Sequence, residues 1–439
     1  MKFLGIDLGT TTVSVAVTEN GRLLRTLTTE HNAFCAGTAP WERIQDPCRL
    51  RDIALVSVLT LFAKFPDIAA IGVTGQMHGI VYLNAAGVPV SPLYTWQDGR
   101  GDLPYDDTHT YAAYLSEITG YPMASGYGLV THFWLLQNRA VPKGAAVFCT
   151  VQDYLAMVLA GRTSPIIDAS NAASLGMYNM AARCFDSDAV RRAGLDGALL
   201  PAASDGGVIG YYRGDVPVYA AIGDNQASFL GAVGEDLHGM LVNVGTGSQF
   251  SVYCDRYLSC EGLETRPFPG GGYLLVGASL CGGRAYALLE RFFRMTAEML
   301  GYETASCYDA MEALVSRAEE PEDMLRVTPL FDGTRQNPDL RGSITGISTE
   351  NLTPLHLIWG TMEGMAEELH GMYRCYLAAG GTAMPLIGSG NGLRRNHALR
   401  VCFAEKFGTE LVMSDCEEEA AVGAARYAAR LYANQSADS

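Results

Sequence analysis

The sequence predicts an α/β fold with two domains. Patterns typical of strands and of helices alternate along most of the chain. A strand, a Gly-Thr turn and a second strand occur at residues 5–17 and again at 243–253. The length of 439 residues is enough for roughly two to three domains, each with its own hydrophobic core. We therefore predict one Gly-Thr unit at the start of each domain, with the domains at residues 1–234 and 235–439.

The individual elements follow from the spacing of apolar residues. Short apolar runs predict strands, and longer amphipathic runs predict helices. In the first half, strands are expected at 3–7, 68–74 and 218–223, and helices at 130–138 and 225–233. In the second half, strands are expected at 272–280 and 384–390, and helices at 282–300, near 353–379 and after residue 390. This order predicts sheets covered by helices in both halves.

Composition and charge limit the class of partner. Hydrophobic residues make up 48% of the chain, and the net charge of −16 argues against nucleic acid and against an anionic membrane surface. Asp7 follows Lys2 too closely for a signal peptide, and no apolar run has the length of a membrane span, so a cytoplasmic location is expected. Eleven cysteines without a C-x-x-C pair predict reduced thiols. The expected partner is a small molecule, and a homodimer is compatible with the sequence.

The repeated turn has a composition that suits phosphate. Gly9 lets the main chain approach a ligand closely, and the backbone N–H groups and hydroxyls of Thr10, Thr11 and Thr12 are donors for phosphate oxygens. The second unit repeats this composition at Gly245, Thr246 and Gly247. Two such turns facing one another across a cleft could bind a polyphosphate from both sides. Gly and Thr are also common in ordinary hairpins, which is the alternative interpretation.

Asp7 favours the phosphate interpretation. A carboxylate at the end of a buried strand is costly unless it meets a cation or several donors. Mg²⁺, held largely through water beside phosphates, is the expected partner of Asp7. The chain contains no G-x-x-x-x-G-K-[ST] sequence, so a nucleotide must be bound by something other than a P-loop.

Two glycine segments of the second half could contact a nucleotide. Residues 384–396 predict a strand, a glycine turn and a helix, where Gly390, Gly392 and Asn396 could lie against an adenosine. A dinucleotide-binding turn is the alternative, but the spacing is G-x-G-x-G and too little chain follows. Gly282 and Gly283 open a predicted helix whose N–H groups could border phosphates, or they simply begin a helix.

Several motifs, in the same order, resemble those of the FGGY family of sugar kinases. They are "GIDLGTTT" (5–12), "TGQMHG" (74–79), "TWQDGR" (95–100), "GDNQASFLGA" (223–232), "NVGTGSQF" (243–250), "GSGNGLRRN" (388–396) and "EEEAAVGAA" (417–425). The resemblance implies two actin-like (ribonuclease H-like) domains with a nucleotide cleft between them. It also implies ATP and Mg²⁺ as cofactors and a sugar as the phosphate acceptor, with the sugar in the first domain and adenosine in the second.

The resemblance also assigns roles to residues. From the residues alone, Asp224 fits a helix N-cap as well as a base, whereas the Gly-Asp-Asn sequence matches the catalytic aspartate of the family. Gln76, His78 and Asn225 are expected to contact sugar hydroxyls. Apolar contacts with the sugar are expected from Met77, which could instead be core, and from the indole of Trp96.

Two further segments have structural interpretations. Asp98 and Arg100 are expected either to fix the loop of Trp96 or to form an ordinary surface ion pair. The polar loop 331–342 and the acidic start of the last helix are expected to be structural.

The identity of the sugar is predicted from finer similarities. Segments 125–138, 168–179 and 388–396 look most like the family branch that phosphorylates sedoheptulose, followed by the branches for xylulose and ribulose. His132 stands where many relatives carry lysine, and the chain is shorter than a typical xylulokinase. An Hsp70-like ATPase and a sugar sensor without catalysis are the alternatives from other classes.

Overall fold

The computed structural model describes residues 1–318, 321–334, 337 and 339–437, of which residues 436 and 437 are described by their main chain alone. The chain divides into two compact units. Unit 1 contains Met1–Asp236, Arg266–Gly272 and the chain from Cys416 onward. Unit 2 contains Leu237–Thr265 and Tyr273–Asp415.

Strands occur along the whole described chain. In order they are β1 Lys2–Leu8, β2 Thr12–Glu19, β3 Arg22–Glu30, β4 Ile44–Gln45, β5 Ile68–Gly75, β6 Val81–Leu83, β7 Leu93–Tyr94, β8 Val147–Cys149, β9 Ile166–Asp168, β10 Tyr178–Asn179, β11 Cys184–Phe185, β12 Ala202–Ser204, β13 Val208–Tyr212, β14 Val216–Tyr219, β15 Ile222–Gly223, β16 Met240–Val244, β17 Ser248–Cys254, β18 Glu264–Pro267, β19 Tyr273–Ser279, β20 Arg326–Thr328, β21 Ser343–Thr345, β22 Leu386–Ser389 and β23 Leu411–Met413.

Helices connect and cover these strands. In order they are α1 Pro47–Lys64, α2 Tyr111–Thr119, α3 Gly128–Gln137, α4 Val151–Leu159, α5 Ala169–Leu175, α6 Ser187–Arg192, α7 Asp224–Val233, α8 Gly282–Met299, α9 Tyr308–Arg317, α10 Pro354–Ala378, α11 Asn391–Arg395, α12 His397–Phe407 and α13 Glu419–Ala437. Two short 3₁₀ turns lie at Gly99–Asp102 and Gly197–Leu199.

The main sheets of the two units share one topology. In unit 1 the order is β13-β14-β5-β1-β2-β3, and β15 also pairs with β5. β1–β2–β3 form an antiparallel meander, and β5 lies parallel to β1 on the other side. In unit 2, β16–β17–β19 form the meander and β22 lies parallel to β16, with β23 beyond it. In both units, the first strand of the meander therefore lies between the second strand of the meander and a parallel strand from later in the chain. The predicted α/β fold with a repeated strand-turn-strand unit is confirmed.

Each unit has its own core, because the central strands are covered on both faces. The strand β1 has buried side chains on both of its faces, with Phe3 on one face and Leu4 and Ile6 on the other. These strands therefore consist of nearly continuous apolar runs, as expected for sheet strands flanked by helices. In unit 2, Phe250 of β17 and Met362 of α10 belong to one buried cluster.

The last helix packs in unit 1. Four glycines allow α13 and its neighbours to meet at main-chain distance: a Cβ at Gly5, Gly72 or Gly231 would lie about 2 Å from a carbonyl oxygen of α13. A Cβ at Gly423 would lie 1.7 Å from the carbonyl oxygen of Ala227 in α7. Because of this close packing, the chain from Cys416 onward belongs to compact unit 1. The domain boundaries 1–234 and 235–439 stay a prediction.

Two predicted elements are subdivided in the structure. The strand expected at 218–223 is interrupted after Tyr219, so that β14 and β15 are separate strands beside β5. The helix expected after residue 390 is two helices, α11 and α12, joined at Asn396. Among the described residues, no helix combines the length and the hydropathy that a membrane crossing requires.

Candidate active site

Three parallel strands of unit 1 end at one edge of its sheet. β1 and β15 both pair in parallel with β5. Because parallel strands share a direction, the segments that follow them leave the sheet at the same edge, where ligands bind in open α/β sheets. These segments are the turn 9–12, residues 76–78 and Asp224 at the start of α7. The structure brings these predicted site residues of unit 1 together.

The turn after β1 is anchored through its carbonyl groups. The side-chain amide of Gln45 donates to the carbonyl of Thr10 over 2.8 Å, and that of Gln76 donates to the carbonyl of Gly9 over 3.4 Å. Within the described part of the chain, the N–H groups of Thr10 and Thr11 donate to no protein acceptor. Amides in such a turn are available to an anion. The observed geometry is compatible with the predicted phosphate role of this turn.

Three carboxylates lie near one another at this edge. Burial raises the pKa of Asp7 to about 7, and the negative charges of Asp224 and Glu418 contribute to the shift. Glu418 accepts a hydrogen bond from Thr28 over 2.9 Å. No hydrogen bond or ion pair to Asp7 is found among the described residues, so its carboxylate is the least compensated of the three.

Asp224 is placed between opposing influences. Burial raises its pKa, whereas the hydrogen bond from Asn225 and the positive charge of Arg266 lower it. Asn225 donates from Nδ2 to Oδ1 of Asp224 over 2.6 Å. Asp224 is the first residue of α7 and Gly223 is the N-cap, and no side chain caps this helix. The alternative that Asp224 is itself a capping residue is therefore wrong.

Sequence reasoning missed Glu418 and Arg266. Glu418 lies in the acidic stretch that was assigned only to starting the last helix, and it reaches Asp7 because α13 packs on β1. Arg266 lies in the short segment 266–272 that belongs to unit 1 although the flanking chain belongs to unit 2. No local pattern marks either residue, since both act through contacts distant in sequence.

Gln76 and Met77 are both buried. Gln76 donates from Nε2 to Oε1 of Gln45 over 2.8 Å, and its own Oε1 has no partner among the described residues. Met77 is 3% exposed and packs against Gly223, where a Cβ would lie 2.9 Å from its sulfur. The sulfur also lies 3.9 Å from Nδ2 of Asn225. Met77 therefore supports the backbone that carries Asp224, and its contact with a sugar stays a prediction.

His78 has an unusual backbone conformation that is held from α5. Its φ is +71°, in the left-handed region that non-glycine residues seldom adopt. The hydroxyl of Ser174 accepts from the N–H of His78 over 3.1 Å, and the carbonyl of Ser174 lies 2.7 Å from Nδ1 of its ring. A carbonyl only accepts, which assigns the ring proton to Nδ1 and makes Nε2 an acceptor in the neutral form. The imidazole is stacked on Tyr127 with ring centroids 4.6 Å apart.

The Trp96 loop is built on a buried ion pair. Trp96 is 45% exposed and donates from Nε1 to the hydroxyl of Thr10 over 3.1 Å. Arg100 is 2% exposed and binds both carboxylate oxygens of Asp98, at 2.6 and 3.1 Å. Its guanidinium also lies over the ring of Tyr94. The prediction that this pair fixes the loop is supported by the contacts, and the alternative of a surface ion pair is wrong.

His132 is a core residue. It is 1% exposed, and its Nδ1 lies 2.7 Å from the hydroxyl of Tyr82. Burial lowers the pKa of His132 to about 4, so the ring is neutral at physiological pH. The difference from the lysine of many relatives is therefore accommodated inside unit 1.

In unit 2, the second Gly-Thr turn packs on the start of α8. The N–H of Gly245 donates to the carbonyl of Gly247, and the N–H of Gly283 donates to the carbonyl of Gly245, both over 2.9 Å. A Cβ at Gly282 would lie 2.4 Å from the main chain of Gly247. The glycines therefore permit this contact, and the amide of Gly283 is engaged by it. The phosphate roles of these residues and of Thr246 stay predictions.

Of the predicted adenosine residues, Asn396 lines a cavity in unit 2. Gly390 and Gly392 pack against Val244, whose main chain or side chain would lie under 3 Å from a Cβ at either position. Asn396 caps α12 by accepting from the N–H of Leu399 over 2.9 Å. This cavity of about 180 Å³ is lined by Tyr286, Glu312, Val315, Ser316, Trp359, Asn396, His397, Ala398 and Val401.

In the polar loop 331–342, Asp332 forms an ion pair with Arg284 of α8 over 2.7 Å. Arg335, Gln336 and Pro338 of this loop lie outside the described residues.

The residues at the edge of the unit 1 sheet fit a divalent cation held mainly by phosphates and water. No group of three or more His, Cys, Asp or Glu side chains in the described chain forms a metal site of its own. Asp7 is nevertheless a partly buried carboxylate with neighbouring negative charges and without a cationic partner in the described residues. A cation beside Asp7 would relieve this repulsion.

The topology shared by the two units, with a Gly-Thr turn after the first strand of each sheet, is that of an actin-like fold. The sequence models described as "FGGY family of carbohydrate kinases", N-terminal and C-terminal domain, match residues 2–231 and 240–432. The chain belongs to the FGGY family of carbohydrate kinases.

Individual relatives agree with this assignment. The sedoheptulokinase of Mus musculus is 30% identical, over 93% of this chain and 96% of its own length. The sedoheptulokinase of Homo sapiens is 29% identical, with 98% of both chains covered. The crystal structure of xylulose kinase from Rhodospirillum rubrum has a TM-score of 0.83 at 21% identity, covering 99% of this chain and 90% of that one, which shows the shared fold.

Membership in the family decides between the classes considered from sequence. The protein is an ATP-dependent carbohydrate kinase that acts on a small sugar, as the resemblance implied. The alternatives of a dinucleotide-binding turn, an Hsp70-like ATPase and a sugar sensor without catalysis are not supported.

Proposed function

We propose that the protein transfers the γ-phosphoryl group of ATP to the terminal primary hydroxyl of a ketose. Sedoheptulose is the proposed acceptor and sedoheptulose 7-phosphate the product. Similarity to mammalian sedoheptulokinases over nearly the whole chain supports this choice of sugar. The structural observation that carries the proposal is Asp224, a carboxylate at the carboxyl edge of the sheet. Burial raises the pKa of Asp224, and the positive charge of Arg266 lowers it.

Asp224 acts as the base. The sugar hydroxyl oxygen attacks the γ-phosphorus, the bond between that phosphorus and the β,γ-bridging oxygen breaks, and ADP leaves. The proton of the hydroxyl passes to the carboxylate of Asp224. A buried carboxylate is a stronger proton acceptor than an exposed one, and Asn225 and Arg266 favour its ionised form.

The residues that follow β5 position the acceptor. His78 presents an Nε2 acceptor because Nδ1 donates to the carbonyl of Ser174. The exposed indole of Trp96 offers an apolar face to the C–H side of the sugar. The unpartnered Oε1 of Gln76 and the amide of Asn225 are further polar groups near Asp224.

The nucleotide is assigned to turns in both units. The amides of Thr10 and Thr11 and those of Thr246 and Gly247 bind phosphate oxygens, with Gly245 shaping the second turn, and the region of Gly390, Gly392 and Asn396 binds adenosine. Asp7 would hold Mg²⁺ through water. The cation supplies positive charge that offsets the charge of the phosphates.

A panel of acceptors tests the proposal. ADP release is measured with ATP, Mg²⁺ and either sedoheptulose, xylulose, ribulose or glycerol, and with no acceptor. We expect kcat/KM for sedoheptulose to exceed the others by about 10-fold or more, since additional hydroxyl contacts discriminate strongly. A higher value for xylulose or ribulose would replace the sugar but retain the chemistry. ADP release that no acceptor stimulates would overturn the proposed function.

A further inference from the structure

The short helix α5 connects to two of the segments that form the candidate site. Ser170 and Ser174 are four residues apart and therefore lie on one face of this helix. They are 1% and 5% exposed. Neither was among the residues assigned from sequence, and neither is a candidate for contact with substrate.

Ser170 binds the residue that precedes the base. Its hydroxyl donates to Oδ1 of Asp168 over 2.5 Å and accepts from the N–H of Gly223 over 3.0 Å. A hydroxyl can donate only one hydrogen bond, and Ser170 donates it to Asp168. A lone pair of Ser170 is therefore directed at the N–H of Gly223. The same carboxylate oxygen accepts from the N–H of Ser170 over 2.8 Å, which fixes the orientation of Asp168.

Ser174 repeats this arrangement at the other segment. Its hydroxyl donates to the carbonyl of Asn171 over 2.7 Å and accepts from the N–H of His78 over 3.1 Å. The hydroxyl again donates to a group of its own segment, here the carbonyl of Asn171 in α5. A lone pair of the hydroxyl accepts a backbone N–H of the candidate site. The strained backbone of His78 is therefore held from α5.

Asn171 links the two segments between these serines. Its Nδ2 donates to the carbonyl of Ala221 over 2.9 Å, and its Oδ1 accepts from Gln152 over 3.0 Å. Gln152 in turn donates to the carbonyl of Gly75 over 3.2 Å. The strand ends before Asp224 and before Gln76 are thus tied to one buried polar network, and networks of this kind restrict motion.

We propose that Ser170 and Ser174 are positioning residues of the kinase reaction, with separable effects. Ser170 sets the direction of the base by holding Gly223, and Ser174 sets the place of the sugar by holding His78. This inference rests on the proposed roles of Asp224 and His78. It requires that loss of the Ser170 hydroxyl act mainly on kcat and that loss of the Ser174 hydroxyl act mainly on the KM of the sugar.

Steady-state kinetics of three serine variants of the full chain test the inference. For S170A we expect kcat to fall about 10- to 100-fold with the sugar KM within about 2-fold of wild type. The reason is that a displaced base stabilises the transition state less, while sugar binding is unchanged. For S174A we expect the sugar KM to rise about 5- to 50-fold with a smaller change in kcat. The matched control is S57A, because Ser57 is a buried serine whose hydroxyl donates to its own helix at the carbonyl of Ile53.

The cysteine variants S170C and S174C nearly keep the side-chain volume but form only weak hydrogen bonds. They replace the alanine variants if those do not fold. Threonine variants, which keep the hydroxyl, should recover most of the lost parameter. The inference would be overturned if the variants at both positions matched S57A. It would also be overturned if both positions changed kcat and the sugar KM by the same factors. A wild-type protein without ketose-stimulated ADP release would instead refute the proposed function, so the two failures are distinguishable.

Discussion

The side-chain amide of Asn225 donates to Oδ1 of Asp224 over 2.6 Å. The bond occupies one oxygen of a carboxylate whose pKa is raised by burial and lowered by this bond and by Arg266. A base needs to be ionised in the free enzyme and still accept a proton in the reaction. The neighbouring amide and guanidinium favour the first condition, and burial favours the second.

Replacement of Asp224 by asparagine should abolish turnover and leave sugar binding. We expect D224N to lower kcat by about 10³-fold or more, because an amide cannot accept the proton, with sugar affinity within several-fold. ADP release gives kcat, and calorimetric titration with the ketose gives affinity. The control is D188N, at an exposed aspartate that pairs with Arg191 in α6. Activity of D224N near that of D188N would refute the base role.

Neutralising Asp7 should stabilise the free protein in a pH-dependent way. The pKa of Asp7 is about 7 in the folded chain against an ordinary 3.8, so the unfolded chain loses this proton at lower pH. Stability therefore falls as pH rises from about 4 to 7, and the full penalty applies above pH 7. We expect D7N to increase the free energy of unfolding at pH 8 by about 1–3 kcal/mol, seen as a higher Tm, and to increase it less at pH 5.

The control for D7N is D67N, because the pKa of Asp67 is lowered by its hydrogen bond to Lys2. This variant should not gain stability at pH 8. An equal gain for D7N at pH 5 and pH 8 would contradict the assignment to ionisation. D7N should also lose kinase activity and the thermal stabilisation by ATP with Mg²⁺, since binding to the folded state raises the Tm.

Removing one charge of the buried pair in the Trp96 loop should be costly. D98N leaves the guanidinium of Arg100 buried without its carboxylate, and breaking such a pair costs about 3–5 kcal/mol. We expect a marked decrease in Tm and, because Trp96 lies two residues away, a higher KM for the sugar. D52N removes an exposed partner of Arg51 and should cost about 1 kcal/mol or less. Similar Tm values for D98N and D52N would contradict the structure.

A methyl group at Gly423 should displace the last helix. Its Cβ would lie 1.7 Å from the carbonyl oxygen of Ala227, so that α13 and α7 would have to separate. Alanine ordinarily favours a helix over glycine by about 1 kcal/mol, whereas here we expect a loss of about 3 kcal/mol or more. Thermal denaturation measures the change. G197A, with no atom within 4 Å of the new Cβ, is the control and should have nearly the wild-type Tm.

Local sequence patterns were sufficient to predict most helices and strands and the site residues that follow strand ends. The Gly-Thr units, Asp7 at the end of β1 and Asp224 after β15 all follow from residues adjacent in sequence. Apolar runs of strand length and the glycine turns after them encode where a strand ends. The residues that emerge at strand ends could therefore be named before the fold was known, since parallel strands present those ends at one edge.

Contacts between distant segments could not be predicted in this way. The two partners Thr28 and Glu418 are 390 residues apart, and no spacing in the chain relates them. Arg266 near Asp224 and the serines of α5 below His78 and Gly223 also depend on how elements pack. The sequence by itself determined the repeated fold and the chemistry at each strand end. Only the tertiary structure decided which charges and hydroxyls surround that chemistry, because their energies depend on distance and burial, which short-range patterns do not encode.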